Sequence, residues 1–210
     1  VSSTSTNVSC NGVSDGTATV SAGASYSYLW NTNPMQTTST VINLSAGTYI
    51  CTITDSINCS INDSITITEP NPITINFNVV DVYCYGAANG SAIAVVAGGT
   101  PSYSYVWSTG STNDSISGLD TGTYVLTVTD VYGCTGLDSV TISQPAQIQA
   151  NLVITNVSCN GLSDGSVTIA GAGGTPNYQY NIGSGNQSSG TFSSLIAGNY
   201  TITITDNNGC

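Results

Sequence analysis

Three stretches of one pattern limit this chain more than any other feature: AGTYICTITDSINC at 46–59, TGTYVLTVTDVYGC at 121–134 and AGNYTITITDNNGC at 197–210. They recur about 75 residues apart, the length of one small domain, so the chain reads as a repeat protein before any function is argued. Each copy sets a Gly before an aromatic, alternates apolar residues with Thr, stops at an Asp and ends in Cys. That pattern predicts a strand at a buried sheet edge running into a tight turn.

The copies extend well beyond this stretch. NVSCNGVSDG at 7–16 returns as NVSCNGLSDG at 156–165 and more loosely as DVYCYGAANG at 81–90. An alternating strand follows each opener: TATVSA at 17–22, SAIAVVA at 91–97 and SVTIAGA at 166–172. Next comes an aromatic strand, YSYLW at 26–30, YSYVW at 103–107 or YQYNI at 178–182, introduced by GGTP in the last two copies. Leu44, Leu119 and Leu195 lead into the repeated stretch, and DSITITEP at 63–70 and DSVTISQP at 138–145 supply a further strand after the Cys. No segment has a helical period or a helix-start signal. Six or seven short strands per repeat, separated by Gly, Pro and Asn turns, predict an all-β fold: tandem, small, immunoglobulin-like antiparallel β-sandwiches. The expected domains are 1–70, 71–145 and 146–210, the last ending before its final strand, with short Pro-stiffened linkers and a shape like beads on a rod.

Composition narrows the function. The 210 residues include no Lys, Arg or His, and 11 acids give a formal charge of −11. Without cations the chain cannot displace counterions from phosphates, so nucleic acid is excluded as a partner, and an anionic membrane surface repels it. Without His or Lys, most general bases and activated nucleophiles cannot be assembled, and neither catalytic nor cofactor-binding residues are expected. No apolar run is long enough to span a bilayer. A surface solvated mainly by Ser, Thr, Asn and Gly suits the outside of a cell, and the lack of Lys and Arg removes every cleavage site for trypsin-like proteases.

Seven cysteines are present. Cys10 and Cys59, Cys84 and Cys134, and Cys159 and Cys210 form one pair per repeat at separations of 49, 50 and 51 residues, which reads as a disulfide framework formed in an oxidising compartment. Pairing within each repeat is favoured over pairing of Cys59 with Cys84 and Cys134 with Cys159. Cys51 is left over as a free thiol; Leu126 and Ile202 take its place in the other copies, so it is expected to point inward as a small hydrophobe. With no CxxC and no His, the cysteines do not suggest a metal site.

Tyr49, Tyr124 and Tyr200 stand where sandwich domains place a tyrosine corner, with the hydroxyl bonded back to the main chain. Tyr26, Tyr28, Tyr103, Tyr105, Tyr178 and Tyr180 alternate along the aromatic strands with Trp30 and Trp107, as core residues do; a glycan-stacking platform is the alternative use of such a strand. Asp55, Asp130 and Asp206 fit Asx-turns. Asp15 and Asp164 lie in the openers, where the middle repeat has Asn89. Ca²⁺ is the one ion these oxygen-bearing loops would suit, although the Asp-to-Asn exchange and the lack of a DxDxDG run argue against it, and no cofactor is expected.

The series C-x-G-x-x-[DN]-G, GGTPxYxYxW, L-x-x-G-T-Y-x-x-T-[IV]-T-D-x-x-G-C and [IV]-T-I-x-[EQ]-P resembles the SprB repeat of long surface proteins in gliding and adhesive bacteria of the Bacteroidetes type. Copy one departs from it by lacking GGTP and carrying Cys51, and copy three by placing Ile182 where the Trp stands. The resemblance implies a segment of an extracellular filament or cell-surface adhesin, exported by the type IX route, in which the repeats form a shaft. Its partners would be neighbouring repeats, laterally associated copies, and surface glycans or other cells. It also implies O-glycosylation at Asp-Ser before a small apolar residue, with Ser56, Ser64, Ser115 and Ser139 as candidates. A carbohydrate-binding array is the alternative function, and an enzyme is not expected.

Overall fold

A computed structural model describes residues 1–23 and 25–210. Among the described residues every regular element is a β-strand. The first repeat contains β1 (Ser2–Thr6), β2 (Gly16–Ser21), β3 (Ser27–Trp30), β4 (Thr40–Leu44), β5 (Gly47–Thr54) and β6 (Ser60–Ile67). The second contains β7 (Thr74–Val80), β8 (Gly90–Ala97), β9 (Ser104–Trp107), β10 (Ser115–Leu119), β11 (Gly122–Thr129) and β12 (Thr135–Ile142). The third contains β13 (Gln149–Thr155), β14 (Gly165–Ala172), β15 (Gln179–Asn181), β16 (Thr191–Leu195) and β17 (Thr203–Thr205).

Strand order repeats with the sequence. The first repeat forms sheets β1-β2-β4 and β3-β5-β6, the second β7-β8-β10 and β9-β11-β12, and the third β13-β14-β16 and β15-β17. The chain is therefore a tandem array of small immunoglobulin-like β-sandwiches. The repeated stretch, expected at a sheet edge, supplies β5 and β11 in the centre of their sheets, because the strand after each Cys pairs along its far side. That position explains its period-2 pattern. Cys51, Ile53, Leu126 and Val128 face inward and are buried, while the alternating Thr residues face outward.

In the first repeat, β2 and β4 of one sheet and β3, β5 and β6 of the other share a core built around Trp30, with Val20, Val41, Ile53 and Ile67. Trp30 is fully buried, and its indole N–H reaches the Thr38 carbonyl at 2.9 Å, so the one polar group it carries into the core is satisfied. Trp107 repeats the arrangement with the Asn113 carbonyl, also at 2.9 Å. In the third repeat Ile182 takes the position and Phe192, Ile169 and Tyr180 complete the core. The opener glycines are required by close approach. A Cβ on Gly90 would lie 2.6 Å from Ile142 Cγ2 and 3.1 Å from the Leu119 carbonyl oxygen, and one on Gly16 would lie 2.9 Å from both Ile67 Cγ2 and the Leu44 oxygen. In the third repeat the corresponding face of β14 borders a cleft lined by Val157, Gly165, Val167, Leu195 and Tyr200.

By contact the chain divides into two compact units: Val1–Asn76 with Ala94–Asp114 and Val125–Asp138, and Phe77–Ile93 with Ser115–Tyr124 and Ser139–Cys210. Each unit contains one junction between successive repeats.

Burial sets the ranking of substitutions. Trp30→Ala empties the centre of a closed core and should cost about 3–5 kcal/mol, whereas Leu29→Ala, one residue away on the exposed face, should stay within about 0.5 kcal/mol. Urea unfolding of the two variants checks this, and comparable losses would contradict the assigned facing.

Candidate functional site: a covalent clasp at the repeat junctions

The cysteines do not pair within repeats. Cys10 is bonded to Cys134 and Cys84 to Cys210, so the opener of one repeat is joined to the end of the next. Both bonds have Cα atoms 5.6 Å apart, at the usual separation for a disulfide. The expected pairs Cys10–Cys59, Cys84–Cys134 and Cys159–Cys210 are therefore corrected, and so is the alternative pairing of Cys59 with Cys84 and Cys134 with Cys159. Cys59 and Cys159, expected in disulfides, are exposed free thiols. Cys51 is free and buried opposite Trp30; burial pushes its thiol pKa up.

Each clasp has four parts, and each is traceable to a sequence motif. The first is the opener loop. Asp15 accepts the Ser9 backbone N–H at 2.9 Å and its hydroxyl at 2.5 Å, and these two bonds hold the carboxyl below the ordinary carboxylate range. Asp164 does the same for Ser158. In the middle repeat the residue is Tyr83, which presents no such hydroxyl, and the Asn89 side-chain oxygen suffices for the remaining backbone bond. The Asp-to-Asn exchange thus follows the loss of a serine, and the oxygens that looked available to Ca²⁺ serve the loop.

The second part is the [EQ]-P pair that closes each repeat. The Gly12 N–H donates to Glu69 Oε2 at 2.7 Å, and the Gly86 N–H donates to Gln144 Oε1 at 2.8 Å. Only an oxygen acceptor is needed, which is why Glu and Gln interchange. Asn11 adds a bond to the Pro70 carbonyl at 3.1 Å. The opener therefore holds the peptide that leaves its own repeat.

The third part is the GGT loop of the following repeat. Its glycines lie directly under that departing peptide: a Cβ on Gly98 would meet the Pro72 carbonyl oxygen at 2.0 Å, and one on Gly173 would meet that of Gln147 at 2.2 Å. Both glycines have φ near +75°, at 78° and 75°, where a side chain is also strained. The next residues bond to the same peptide, Gly99 N–H to the Asn71 carbonyl and Gly174 N–H to that of Ala146, each at 2.7 Å.

The fourth part is the D-x-x-G-C turn. Asp130 Oδ1 accepts the N–H groups of Tyr132 and Cys134, both at 2.9 Å, and Oδ2 accepts that of Thr100 in the GGT loop at 2.8 Å. Asp206 repeats all three bonds with Asn208, Cys210 and Thr175. Burial pushes the Asp130 carboxyl pKa up, but the N–H groups of Thr100, Cys134, Tyr132 and Gly133 outweigh it and leave the group lowered. Asp206 is likewise lowered, first by the Thr175 N–H. The residue before each Cys is left-handed, Gly133 at φ 85° and Gly209 at 81°. Asn58 fills that position in the first repeat at φ 66°, the residue other than Gly that tolerates it best. Asp55 there accepts Ile57 and Cys59 N–H through Oδ1.

The remaining candidates lie apart from the clasp. Tyr49, Tyr124 and Tyr200 donate to the carbonyls of Ser45, Asp120 and Ile196, each four residues upstream and each at 3.0 Å. Of the aromatic-strand tyrosines, Tyr103 donates to the Gly98 carbonyl at 2.5 Å and Tyr178 donates to that of Gly173. Tyr28 and Tyr180 accept the N–H groups of Ala22 and Gly171. These half-buried or buried rings face the core and its rim; Tyr26 is exposed. Ser56, Ser64 and Ser139 are exposed, and Ser115 is half-buried. Among the described residues, no group of three or more His, Cys, Asp or Glu side chains is arranged to hold a metal ion, and no helix is long and apolar enough to cross a membrane.

With this geometry in place, the class is clear: a tandem array of immunoglobulin-like sandwiches with its staples at the repeat junctions. The SprB repeat family matches at 2–35, 76–112 and 151–187, and the chain belongs to it. Each match takes in an opener Cys and the aromatic strand; the Cys of the D-x-x-G-C turn lies outside it. No curated protein matches. Among solved structures, the chain is similar to the N-terminal eight immunoglobulin domains of Down Syndrome Cell Adhesion Molecule, at 14% identity over 76% of this chain and 25% of that one, with a TM-score of 0.38. It is also similar to Sidekick-1 immunoglobulin domains 1–5, at 13% identity over 100% and 53% of the two chains with a TM-score of 0.33. Titin domains I67–I69 match at 11% identity over 96% and 81%, again with a TM-score of 0.33.

The lowered aspartates give the clasp a definite acid response. A group whose folded pKa lies below its unfolded value contributes stability above the unfolded pKa of about 3.9 and loses it as pH falls through the folded one. Melting temperature should therefore hold from pH 7 to about 5 and fall steeply below about 4. Asp130→Asn should melt lower at pH 7 and show a smaller further drop in acid. An unchanged acid slope in that variant would show that Asp130 does not carry the response.

Proposed function

We propose that this chain is a structural segment of an extended bacterial cell-surface protein, an adhesin or filament, with three repeat modules at 1–70, 71–145 and 146–210. The reading rests on one observation: the disulfides join successive repeats, at both junctions and through the same four motifs. A bond inside a domain protects that domain; a bond across a junction also fixes how the two domains meet. In a polypeptide built to transmit load or keep its reach, the junction is the weak element, and here it is covalently closed. Export to an oxidising space outside the cell, by the type IX route of such surface proteins, is part of the proposal, since these bonds persist only there. So is O-glycosylation at the exposed Ser56, Ser64 and Ser139, with neighbouring repeats as the first partners and glycans or other cells as adhesive ones. The role is non-enzymatic, and the repeats act through their mechanics.

The two disulfide loops overlap between Cys84 and Cys134, so the covalent path from Val1 to Cys210 runs to Cys10, across to Cys134, back to Cys84 and across to Cys210. That path is about 60 residues, and fully unfolded it spans roughly 200 Å, against roughly 700 Å for the open chain. Single-molecule pulling from the two termini should stop near the shorter limit and reach the longer one after reduction. Extension to the longer limit in the oxidised protein would contradict a load-limiting role.

A further inference from the structure

A groove runs beside the first clasp, where the end of β1, the peptide leaving the first repeat and the turn of the second come together. Asn7, Ser9, Thr68, Glu69, Thr100 and Tyr132 line it around a volume of about 660 Å³, within the range of small-molecule sites. The clasp itself holds these groups in place and leaves part of each free. Asn7 Oδ1 accepts the Thr68 N–H at 2.9 Å and Glu69 Oε2 accepts the Gly12 N–H at 2.7 Å, which leaves the Asn7 amide N–H groups and Glu69 Oε1 for a ligand. Thr100 is held by its main chain, through Asp130 and Val131, and keeps its hydroxyl. Tyr132 is anchored only by its N–H on Asp130 Oδ1, and the residue is 65% exposed.

At the second junction the corresponding groups are engaged. Asp81 accepts the Ser143 N–H at 2.7 Å, and Asn208, which stands where Tyr132 does, gives its amide to the Tyr83 carbonyl at 3.1 Å and the Thr175 hydroxyl at 3.0 Å. A clasp therefore closes with Asn in this place, so the exposed ring of Tyr132 is not a requirement of the junction.

The geometry points to this groove as a binding site for a neutral glycan, with a sugar stacked by its C–H face on Tyr132 and its hydroxyls paired with Glu69, Asn7 and Thr100. This rests on the reading of the chain as an adhesive surface segment and names the place and the ligand class of that adhesion. A sugar offers an apolar face and hydroxyls that both donate and accept, so it calls for an aromatic ring beside an acceptor and a donor. Glu69 accepts, the Asn7 amide donates, and Thr100 does both. Charge selects against acidic sugars: Glu69 lines the groove, and a chain with 11 acids and no Lys, Arg or His has nothing to pair with a carboxylate or sulfate. The aromatic strands, the other place for a stacking platform, turn most of their rings to the core and its rim, whereas Tyr132 stands outside them in a turn. A single groove of this kind holds a short glycan with a Kd on the order of 1 mM.

The test is titration of the oxidised, ¹⁵N-labelled chain with neutral tetrasaccharides of glucose, galactose, mannose and N-acetylglucosamine, each to about 20 mM, read by amide chemical shifts. With at least one of the four, saturable shifts are expected at Thr68, Glu69, Thr100 and Tyr132, while amides around Asn208 stay in place. Tyr132→Ala should weaken binding about tenfold or more, and Tyr132→Phe, which keeps the stacking face, should restore it. Asn7→Asp keeps an acceptor for the Thr68 N–H, as Asp81 does for that of Ser143, and should weaken binding by removing the donor. Retention of Cys10–Cys134 and Cys84–Cys210 in each variant verifies folding. Saturable shifts with none of the four sugars, an affinity unchanged by Tyr132→Ala, or equally tight binding of the acidic tetragalacturonate would each overturn the inference. Such a failure leaves the structural role standing as long as the oxidised chain stops at its shorter pulling limit; loss of that limit with binding intact removes the load-bearing role and leaves the groove.

Discussion

The bond between an opener cysteine and the turn of the following repeat is the constraint on which the rest of this structure depends. A 75-residue sandwich buries a modest core, which includes one Trp or its replacement. The disulfides span 124 and 126 residues of sequence, and closing loops of that length removes roughly 5 kcal/mol of chain entropy from the unfolded state in a simple polymer treatment. That stabilisation is shared between neighbours. Each bond lies beside a peptide that is hydrogen-bonded on one side by the opener and on the other by the GGT loop, so bond, linker and turn form a closed ring of contacts.

This arrangement explains why the residues that recur from repeat to repeat are so often small, acidic or left-handed. The GGT glycines leave room for a crossing backbone, the Asp of the turn satisfies three N–H groups at once, and the residue before the Cys is a left-handed Gly or Asn. The first repeat lacks GGTP and its Asp55 bonds only within its own turn. A chain with no basic residue has no salt bridges to spend on such a junction. It uses neutral hydrogen bonds, charge-assisted ones to Asp and Glu, and a covalent link.

Much of this was legible in the sequence. The period, the strand pattern, the inward Trp30 and Trp107, and the turn-forming Asp55, Asp130 and Asp206 are local or periodic signals, and each residue carries its own evidence. The pairing of the cysteines was not. In a repeat of constant period every offset between equivalent positions is constant, so the separation of 124 or 126 residues recurs as regularly as that of about 50, and spacing cannot choose between them. Only the meeting of two repeats in space decides. The [EQ]-P pair was visible as a motif without a role for the same reason, because the glycine it serves lies 57 or 58 residues away. The central position of β5 and β11 also escaped local reading, since a half-buried strand alternates in the same way at a sheet edge and at its centre.

The most direct test of the account is a disulfide map of the oxidised chain after alkylation of free thiols and cleavage before Asp. The ten aspartates place each of the seven cysteines in its own peptide, so no partial assignment is needed. The account predicts peptide 1–14 joined to 130–137 and peptide 81–113 joined to 206–210, with alkylated thiols in 15–54, 55–62 and 138–163 of the monomer. Peptide 1–14 joined to 55–62, together with 81–113 joined to 130–137, would place the staples inside the repeats and contradict it.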